Sequence, residues 1–257
     1  MPWNPEVYNQ FKNIRFKPFF DLQALIQPEQ TMKAIDLGCG TGEQTALLSE
    51  KFPDAEFLGI DSSAEMLAQS KELETEKLHF KQSTTEAILA TGDSWDLIFS
   101  NAALQWSDNH QELFPKILSR LNPNGQFAVQ MPYQPENILN QLLNSLANEE
   151  PFRSQLGGWN RPSQVLTLDA YAQILFDHGI EELQISQRVY PIIADDHDTL
   201  FNFISGSALI PYLEKLDTEQ QEAFTTAFKS RIAENFTQLP AIYAFKRILL
   251  YGRKKTS

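Results

Sequence analysis

The stretch Ile35-Asp36-Leu37-Gly38-Cys39-Gly40-Thr41-Gly42 decides which fold this sequence predicts. The apolar residues over 33–37 are typical of a short buried strand. Residues 43–51 carry apolar side chains at Ala46, Leu47 and Leu48 and stop before Phe52-Pro53, so we expect a helix there. The three glycines between strand and helix permit positive φ angles and leave room for a ligand against the backbone. The stretch therefore predicts a strand, a ligand-holding loop and a helix.

Strand and helix patterns alternate through the first half of the chain. Such alternation favours right-handed crossover units and a parallel sheet. We expect an α/β fold with a doubly wound, Rossmann-like, mostly parallel sheet and a ligand crevice at the carboxyl ends of its strands. The expected strands after the first are 55–60, 78–81, 95–100 and 126–131, with a helix capped by Ser62 or Ser63, a helix over 108–121 and a turn at 122–125.

Helical patterns dominate the second half. We expect helices over 137–147, 168–177, 196–207 and 218–235, an irregular stretch over 150–167, and strands near 181–190 and over 243–251. These helices are expected to cover the crevice and not to form an independent domain. We interpret 1–257 as one domain with an N-terminal helical clamp (1–30), a cofactor-binding core (31–132), a helical cover with one sheet strand (133–240) and a closing strand (241–257).

Composition excludes several classes of function. The 257 residues are 42% hydrophobic and carry a formal net charge of −12, which disfavours non-specific binding to nucleic acid or to anionic membranes. Cys39 is the one cysteine, so neither an internal disulfide nor a cysteine-based zinc site is expected. The N-terminus lacks a signal-peptide pattern, and no apolar run approaches the length of a membrane span. We expect a cytoplasmic monomer without a metal.

A carboxylate at the end of the second predicted strand points to a nucleoside. Asp61 is placed to accept hydrogen bonds from ribose hydroxyls. The dinucleotide pattern G-x-G-x-x-G needs a glycine where this chain has Glu43, and a carboxylate at a helix start repels a pyrophosphate. Asp36 adds negative charge that a sulfonium or an ammonium group tolerates. A phosphate-binding P-loop is excluded, because no G-K-[ST] follows; a turn without any ligand is the remaining alternative.

In combination, Ile35–Gly42, Gly59-Ile60-Asp61-Ser62-Ser63 and Met66-Leu67 resemble the class I S-adenosylmethionine-dependent methyltransferases. The resemblance implies S-adenosylmethionine as cofactor, with Gly38 and Gly40 near its methionine part and Asp61 on its ribose. Ser62 and Met66 are implied to line the adenine. The family's third-strand motif G-D-A-E is here Ser83-Thr84-Thr85-Glu86, which places Thr84 where an aspartate usually meets the adenine amine. The cofactor-binding residues expected in this way are Asp36, Gly38, Cys39, Gly40, Gly42, Asp61, Ser62, Met66, Thr84, Thr85, Glu86, Asn101, Ala102 and Tyr8.

Two further segments resemble the trans-aconitate branch of that family, Trp3–Tyr8 and Ser100–Trp106. The resemblance implies that Asn4–Tyr8 fold over the cofactor, that Asn101 and Ala102 lie beside it, and that Trp106 lines the acceptor pocket. Burial in the core is the alternative for Trp106. Leu-Gln-Trp also occurs in malonyl-carrier carboxyl methyltransferases, so it indicates a branch and not a substrate. Additional matches are Glu112–Pro115, Leu121–Gly125 and Ala128–Pro132.

The expected chemistry needs binding residues more than catalytic ones. A carboxylate acceptor is ionised at neutral pH, so methyl transfer by in-line displacement needs no general base, and we expect positioning to provide the catalysis. An acidic acceptor needs cations, and arginine forks suit carboxylates. Asn144 and Ile210 stand where the branch is expected to carry arginines. The acceptor-site candidates are Asn4, Tyr8, Arg15, Lys17, Trp106, His110, Tyr133 and Arg161.

Three functions follow from these patterns. The first is a carboxyl O-methyltransferase that acts on trans-aconitate or a related small acid. The second is a methyltransferase of a malonyl thioester on a carrier protein, or of another small molecule. The third is a cofactor-binding protein without methyl transfer, which intact Asp36, Asp61 and loop glycines disfavour.

Overall fold

The structure, a computed structural model, describes residues 12–29, 31–161 and 163–256, with side chains from residue 16 onward. Its framework is a seven-stranded sheet in the order β3-β2-β1-β4-β5-β7-β6. The strands are β1 (Lys33–Leu37), β2 (Glu56–Asp61), β3 (Leu78–Gln82), β4 (Trp95–Asn101), β5 (Leu121–Pro132), β6 (Ile180–Ala194) and β7 (Ala241–Lys254).

The first five strands pair in parallel, and β7 pairs with β5 in antiparallel orientation. From β1 the chain proceeds to β2 and β3 on one side and then returns to β4 on the other. The order therefore reverses between β1 and β4, where parallel sheets form their ligand crevice. The predicted doubly wound α/β sheet is confirmed.

The helices are α1 (Lys12–Gln23), α2 (Glu43–Lys51), α3 (Ala64–Leu67), α4 (Thr85–Ala90), α5 (His110–Leu118), α6 (Ile138–Ala147), α7 (Phe152–Gln155), α8 (Leu168–Asp177), α9 (His197–Ser205), α10 (Ile210–Leu213) and α11 (Thr218–Asn235). Short 3-10 helices occur at Ser70–Leu73, Leu104–Trp106 and Gln134–Glu136. Within the described ranges, no helix has both the length and the apolar character that crossing a bilayer requires.

The chain divides into two compact units. Of the described residues, the sheet unit comprises those in Pro18–Pro132, in Gln164–Arg188 and from Arg247 onward. The helical unit comprises those in Tyr133–Ser163 and Val189–Lys246, together with residues 12–17. Each has its own apolar core. The core of the sheet unit includes Phe19, Leu48, Phe57, Phe99 and Tyr251, and that of the helical unit includes Leu139, Tyr212, Phe224, Phe228 and Ile232. The proposed division into clamp, core, cover and closing strand stays a prediction.

Several elements have the bounds that the sequence predicts: β1, α2, α8 and α11. The turn expected at 122–125 instead lies inside β5. There Trp95 of β4 pairs with Leu121, but Leu97 pairs with Gln126. The extra residues of β5 form a bulge, in which Asn124 takes a positive φ of 63°. Helix α4 was not expected.

Gly42 is a packing requirement at the start of α2. Its φ is +80°, and a Cβ atom there would lie 2.7 Å from the Phe80 ring and 2.8 Å from the Cβ of Ser70. Gly179 has a similar φ of +70°, yet a Cβ there would have no neighbour within 4 Å. The two glycines share a backbone conformation and differ in the space around them.

This difference predicts unequal costs for the same substitution. Gly179→Ala should lower the free energy of unfolding by about 1–2 kcal/mol, the cost of a left-handed L-residue. Gly42→Ala should lose about 1–3 kcal/mol more, because the added methyl overpacks a filled space. Urea denaturation followed by circular dichroism measures both. Equal losses would show that the contacts of Gly42 with Phe80 and Ser70 do not constrain the loop.

Candidate active site

The glycine loop is tied to the end of β2. The backbone N–H groups of Gly38 and Cys39 both donate to the carbonyl of Ile60 at 2.8 Å, and the N–H of Gly42 donates to the carbonyl of Cys39 at 3.0 Å. Positive φ angles at Gly38, Gly40 and Gly42 turn the chain between these bonds. These three backbone hydrogen bonds hold the loop against the end of β2, and the glycines allow the positive φ angles that the turn requires.

Asp61 joins the two loops that follow β1 and β2. Its Oδ2 accepts from the N–H of Gly40 at 2.9 Å, and its Oδ1 accepts from the N–H of Ser63 at 2.9 Å. The side chain is half-buried. Each carboxylate oxygen can accept a second hydrogen bond, so Asp61 has the capacity to receive a pair of ribose hydroxyls while it keeps both loops in place.

Asp36 is a buried acid with spare hydrogen-bonding capacity. It is 2% exposed, and its Oδ2 accepts from the Thr45 hydroxyl at 2.6 Å. Within the described residues, its buried Oδ1 has no hydrogen-bond partner. Burial raises the pKa of Asp36 to about 7; the Thr45 hydrogen bond opposes this shift, and the nearby charge of Asp61 adds to it. A cationic group would satisfy the orphaned oxygen and stabilise the ionised acid.

Gly40 is the least crowded of the three loop glycines. Among the described residues, a Cβ there would closely approach the terminal methyl of the Met66 side chain, at 3.3 Å, whereas a Cβ on Gly38 would lie 2.2 Å from the Cβ of Ala103. Gly38 and Gly42 are thus required by packing within the protein. At Gly40, next to the half-buried Asp61, the missing side chain lets a ligand approach the backbone.

The residues expected near the adenine have capping and surface positions. Ser62 is exposed and Met66 is half-buried; Ser63, one of the two serines expected to cap the next helix, caps α3 by accepting from the N–H of Met66 at 3.2 Å. Thr84 is exposed as well, and its hydroxyl caps α4 by accepting from the N–H of Ala87 at 3.1 Å. A hydroxyl keeps a second lone pair and a donor, so this cap leaves Thr84 able to meet a ligand.

Thr85 and Glu86 form the first turn of α4. Thr85 is half-buried and Glu86 is exposed. The cavity that Glu86 lines, about 320 Å³ in volume, lies between α4 and α5 and has no residue of the glycine loop in its wall. The cofactor role expected for Thr85 and Glu86 stays a prediction.

The chain turns sharply after β4. Ala102 takes a positive φ of 56°, its N–H donates to the carbonyl of Gln130 at 2.9 Å, and its own carbonyl accepts from the Gln105 amide at 2.7 Å. This turn directs Ala103 against Gly38. An alanine held in the left-handed region is strained, and such strain concentrates at functional sites.

Four polar side chains, which we call the amide chain, connect β7 to the start of α2. Arg247 donates through Nη1 to Gln130 Oε1 at 2.6 Å, Gln130 Nε2 donates to Asn101 Oδ1, and Asn101 Nδ2 donates to Gln44 Oε1 at 2.7 Å. Gln130 is fully buried and Arg247 is 6% exposed. Only Asn101 was expected from the sequence, although polar residues inside otherwise apolar strands were a signal for Gln130 and Arg247.

His110 is buried, at 1% exposure. Its Nε2–H donates to the carbonyl of Leu104 at 2.9 Å, which leaves Nδ1 to accept from the Tyr171 hydroxyl at 2.5 Å. Burial lowers the pKa of His110, and backbone hydrogen bonds partly offset that effect. Both ring nitrogens are engaged inside the protein, which favours a structural role over the predicted acceptor contact.

Trp106 ends a short 3-10 helix and is 37% exposed. The alternative of a buried core tryptophan therefore does not hold. Lys17 is exposed on α1 and Tyr133 is buried, with its N–H donating to the carbonyl of Lys246 at 2.9 Å. Asn4 and Tyr8 lie outside the described residues, and the side chain of Arg15 does as well.

In the helical unit, Arg161 has a fixed backbone. Its N–H donates to Asn160 Oδ1 at 2.8 Å and to the Tyr212 hydroxyl at 3.3 Å. The Tyr212 hydroxyl in turn donates to Asn160 Oδ1 at 2.6 Å, and Asn160 Nδ2 donates to the carbonyl of Asn144 at 3.0 Å. Asn144 therefore belongs to the network that holds Arg161 in place.

A sequence model described as a methyltransferase domain matches residues 28–195 of this chain. Together with the doubly wound sheet and the glycine loop, this match shows that the chain belongs to the class I S-adenosylmethionine-dependent methyltransferase family. It is 39% identical over 260 residues to a Deinococcus radiodurans protein named trans-aconitate 2-methyltransferase, and the alignment covers 99% of each chain.

Solved structures share the fold at low sequence identity. The YcgJ protein of Bacillus subtilis superposes with a TM-score of 0.61 at 19% identity, covering 94% of this chain and 99% of that one. A Haemonchus contortus phosphoethanolamine N-methyltransferase 2, solved in complex with S-adenosyl-L-methionine, superposes with a TM-score of 0.53 at 14% identity, covering 93% of this chain and 52% of that one.

The raised pKa of Asp36 predicts a pH dependence of stability without ligand. Between the ordinary carboxyl value of 3.8 and about 7, the folded state holds a proton that the unfolded state has lost. The free energy of unfolding should therefore fall as pH rises through this window, by up to about 4 kcal/mol at 1.36 kcal/mol per pKa unit, and level off above it.

Urea denaturation of the apoprotein at pH 4.5, 6 and 8 measures this slope. Asp36→Asn should flatten it, whereas Asp169→Asn, which changes an exposed carboxyl on α8, should leave it as in the wild type. A slope that survives in Asp36→Asn would show that another group is its source.

Proposed function

We propose that this protein transfers the methyl group of S-adenosylmethionine to a carboxylate of a small organic acid, trans-aconitate or a close analogue. One observation carries the choice of acceptor: the similarity to a trans-aconitate 2-methyltransferase extends over 99% of both chains. The geometry of the glycine loop supports the cofactor.

The residues of the loop fit a cationic nucleoside. Asp61 would accept from the ribose hydroxyls, and the orphaned Oδ1 of buried Asp36 would face positive charge. Gly40 has no side chain, so the ligand would be able to lie against its backbone. Asp36, Asp61 and the exposed Glu43 make the same region unfavourable for a diphosphate.

S-adenosylmethionine supplies a methyl group already activated on a sulfonium, so an ionised carboxylate needs no general base to receive it. The chain's own residues then have to bind the two reactants in line and exclude water. We propose that Arg161, Lys17 and Arg15 bind the acceptor's carboxylates and that Trp106, Tyr133, Asn4 and Tyr8 line the acceptor pocket. The network of Asn144, Asn160 and Tyr212 supports the choice of Arg161, since a fixed backbone lowers the entropy lost on binding.

We further propose that the protein acts as a monomer on dissolved small acids, without nucleic acid or a membrane as partner. The net charge of −12 supports this, because polyanionic partners would be repelled. The predicted cytoplasmic location stays a prediction.

A methylation assay tests the proposal. Purified protein with S-adenosylmethionine labelled in the methyl group should convert trans-aconitate into a base-labile methyl ester, identified by mass spectrometry. Citrate, isocitrate, cis-aconitate and a malonyl thioester serve as parallel acceptors. Binding of S-adenosylhomocysteine in calorimetry without ester formation from any acid would refute the acceptor class. Absence of S-adenosylhomocysteine binding would refute the cofactor.

The proposed role of Arg161 predicts that its substitution changes the KM for the acid but not the Kd for S-adenosylhomocysteine. Arg161→Gln should raise the KM for the acid about tenfold or more, as expected for the loss of one charge-assisted hydrogen bond, and leave the Kd for S-adenosylhomocysteine unchanged. The backbone bonds to Asn160 and Tyr212 do not depend on the side chain. Arg153→Gln, an exposed arginine of the same unit, is the control and should change neither constant. An unchanged KM in Arg161→Gln would remove Arg161 from the acceptor site.

A further inference from the structure

The hydrogen bonds of the amide chain have a fixed donor-to-acceptor order, and Arg247 sets this order. A guanidinium can only donate hydrogen bonds, so Gln130 must turn its Oε1 toward Arg247, at 2.6 Å. The Nε2 of Gln130 then faces Asn101, which must present Oδ1 and direct its own Nδ2 to Gln44 Oε1, at 2.7 Å. One buried cation thereby decides the orientation of three successive amides.

Gln44 is where this chain ends. Because its Oε1 is used by Asn101, its Nε2 is left as a donor, and among the described residues no hydrogen-bond acceptor for that group is found. The side chain is half-buried and belongs to the first turn of α2, two residues after Gly42. A polar group of fixed orientation is thus offered at the end of the glycine loop.

The charges around this loop explain why a fixed donor is needed. Asp36, Glu43 and Asp61 all carry acidic groups there, so a carboxylate brought to the loop is repelled unless a donor compensates. A free glutamine could turn either its NH₂ or its carbonyl outward, and the carbonyl would add to the repulsion. The amide chain removes that choice, because turning Gln44 would break its bond with Asn101.

We propose that Gln44 donates through Nε2 to a carboxylate of a bound reactant, and that Arg247 is a positioning residue that acts on Gln44 through Gln130 and Asn101. This inference rests on the proposed function, in which two carboxylates are available: the one on the amino-acid end of the cofactor and the one on the acid acceptor. The experiments below distinguish these two sources.

The first variant replaces the outward donor of Gln44, the last side chain of the amide chain, by an acceptor of the same length. Gln44→Glu keeps an oxygen to accept from Asn101 and replaces the outward NH₂ by a second oxygen. If the cofactor's carboxylate is bound, the Kd for S-adenosylhomocysteine should rise about 10- to 100-fold, while the Kd for 5′-methylthioadenosine, which lacks the amino-acid end, should not change. If the acceptor's carboxylate is bound, its KM should rise by that factor and neither Kd should change.

The second variant reverses the hydrogen-bond direction of the amide chain at Gln130, next to Arg247. Gln130→Glu offers Arg247 and Asn101 only acceptor oxygens, so Asn101 must turn its Nδ2 toward position 130 and its Oδ1 toward Gln44. Gln44 would then turn its carbonyl outward. Calorimetry and kinetics should show the same loss as in Gln44→Glu, for the same reactant. Thermal stability should be retained, since the buried arginine gains a carboxylate partner.

A charge control completes the design. Gln69→Glu adds the same charge at an exposed position of the sheet unit and should leave every constant at the wild-type value. If wild-type protein binds S-adenosylhomocysteine but Gln44→Glu changes neither the two Kd values nor the KM, Gln44 does not bind a carboxylate and the inference fails while the proposed function stands. A loss in Gln44→Glu without one in Gln130→Glu would overturn the positioning role of Arg247.

Discussion

Asp61 accepts one backbone N–H from each of two loops, Gly40 after β1 and Ser63 after β2, both at 2.9 Å. Since these loops follow adjacent parallel strands, the carboxylate ties the loop after β1, which borders the reversal of strand order, to the loop after its neighbour β2. The paired bonds from Gly38 and Cys39 to Ile60 set the loop against the same strand end. Together, these bonds fix the loop whose glycines take positive φ angles and which leads directly into α2.

The electrostatics of the loop are shaped by acids that the protein does not neutralise. Asp36 lies inside with one oxygen orphaned among the described residues, and burial raises its pKa to about 7. In the absence of a ligand, ionisation of Asp36 is therefore unfavourable, and a bound cation would supply the compensation that burial removes. The same acids repel carboxylates, and the amide chain that ends at Gln44 offers a compensating donor.

Much of this fold is encoded in local patterns. The apolar run of β1, the glycines after it and the segment of α2, which Phe52-Pro53 closes, are adjacent in sequence. Their bounds therefore follow from local patterns and turn chemistry, and the doubly wound sheet follows from the alternation of strands and helices. Asp61 was predictable for a similar reason, because a carboxylate at the end of the second strand of such a sheet is placed to accept from ribose hydroxyls. The resemblance of the motifs to the methyltransferase family added the cofactor, and the family match confirms that membership.

Long-range partners account for what the sequence did not predict. Gln130 and Arg247 are 117 residues apart, and no local pattern pairs them. The burial of His110 against Tyr171, 61 residues away, is of the same kind. Helix α4 has six residues, too few to show a helical period in the sequence, and its N-terminus is capped by the Thr84 hydroxyl, which accepts from the N–H of Ala87. The bulge in β5 was expected as a turn, because Asn-Pro-Asn-Gly has turn composition whether or not the ladder continues past it.

The central claim is that the glycine loop, through Asp61 and Asp36, holds the nucleoside and the positive charge of the methyl donor. A crystal structure of the complex with S-adenosylhomocysteine tests it most directly. It should show both ribose hydroxyls on the Asp61 carboxylate, the ligand against the backbone of Gly40, and the amino-acid ammonium facing Asp36 directly or through one water. A ligand that leaves Asp61 and Gly40 uncontacted would contradict the claim.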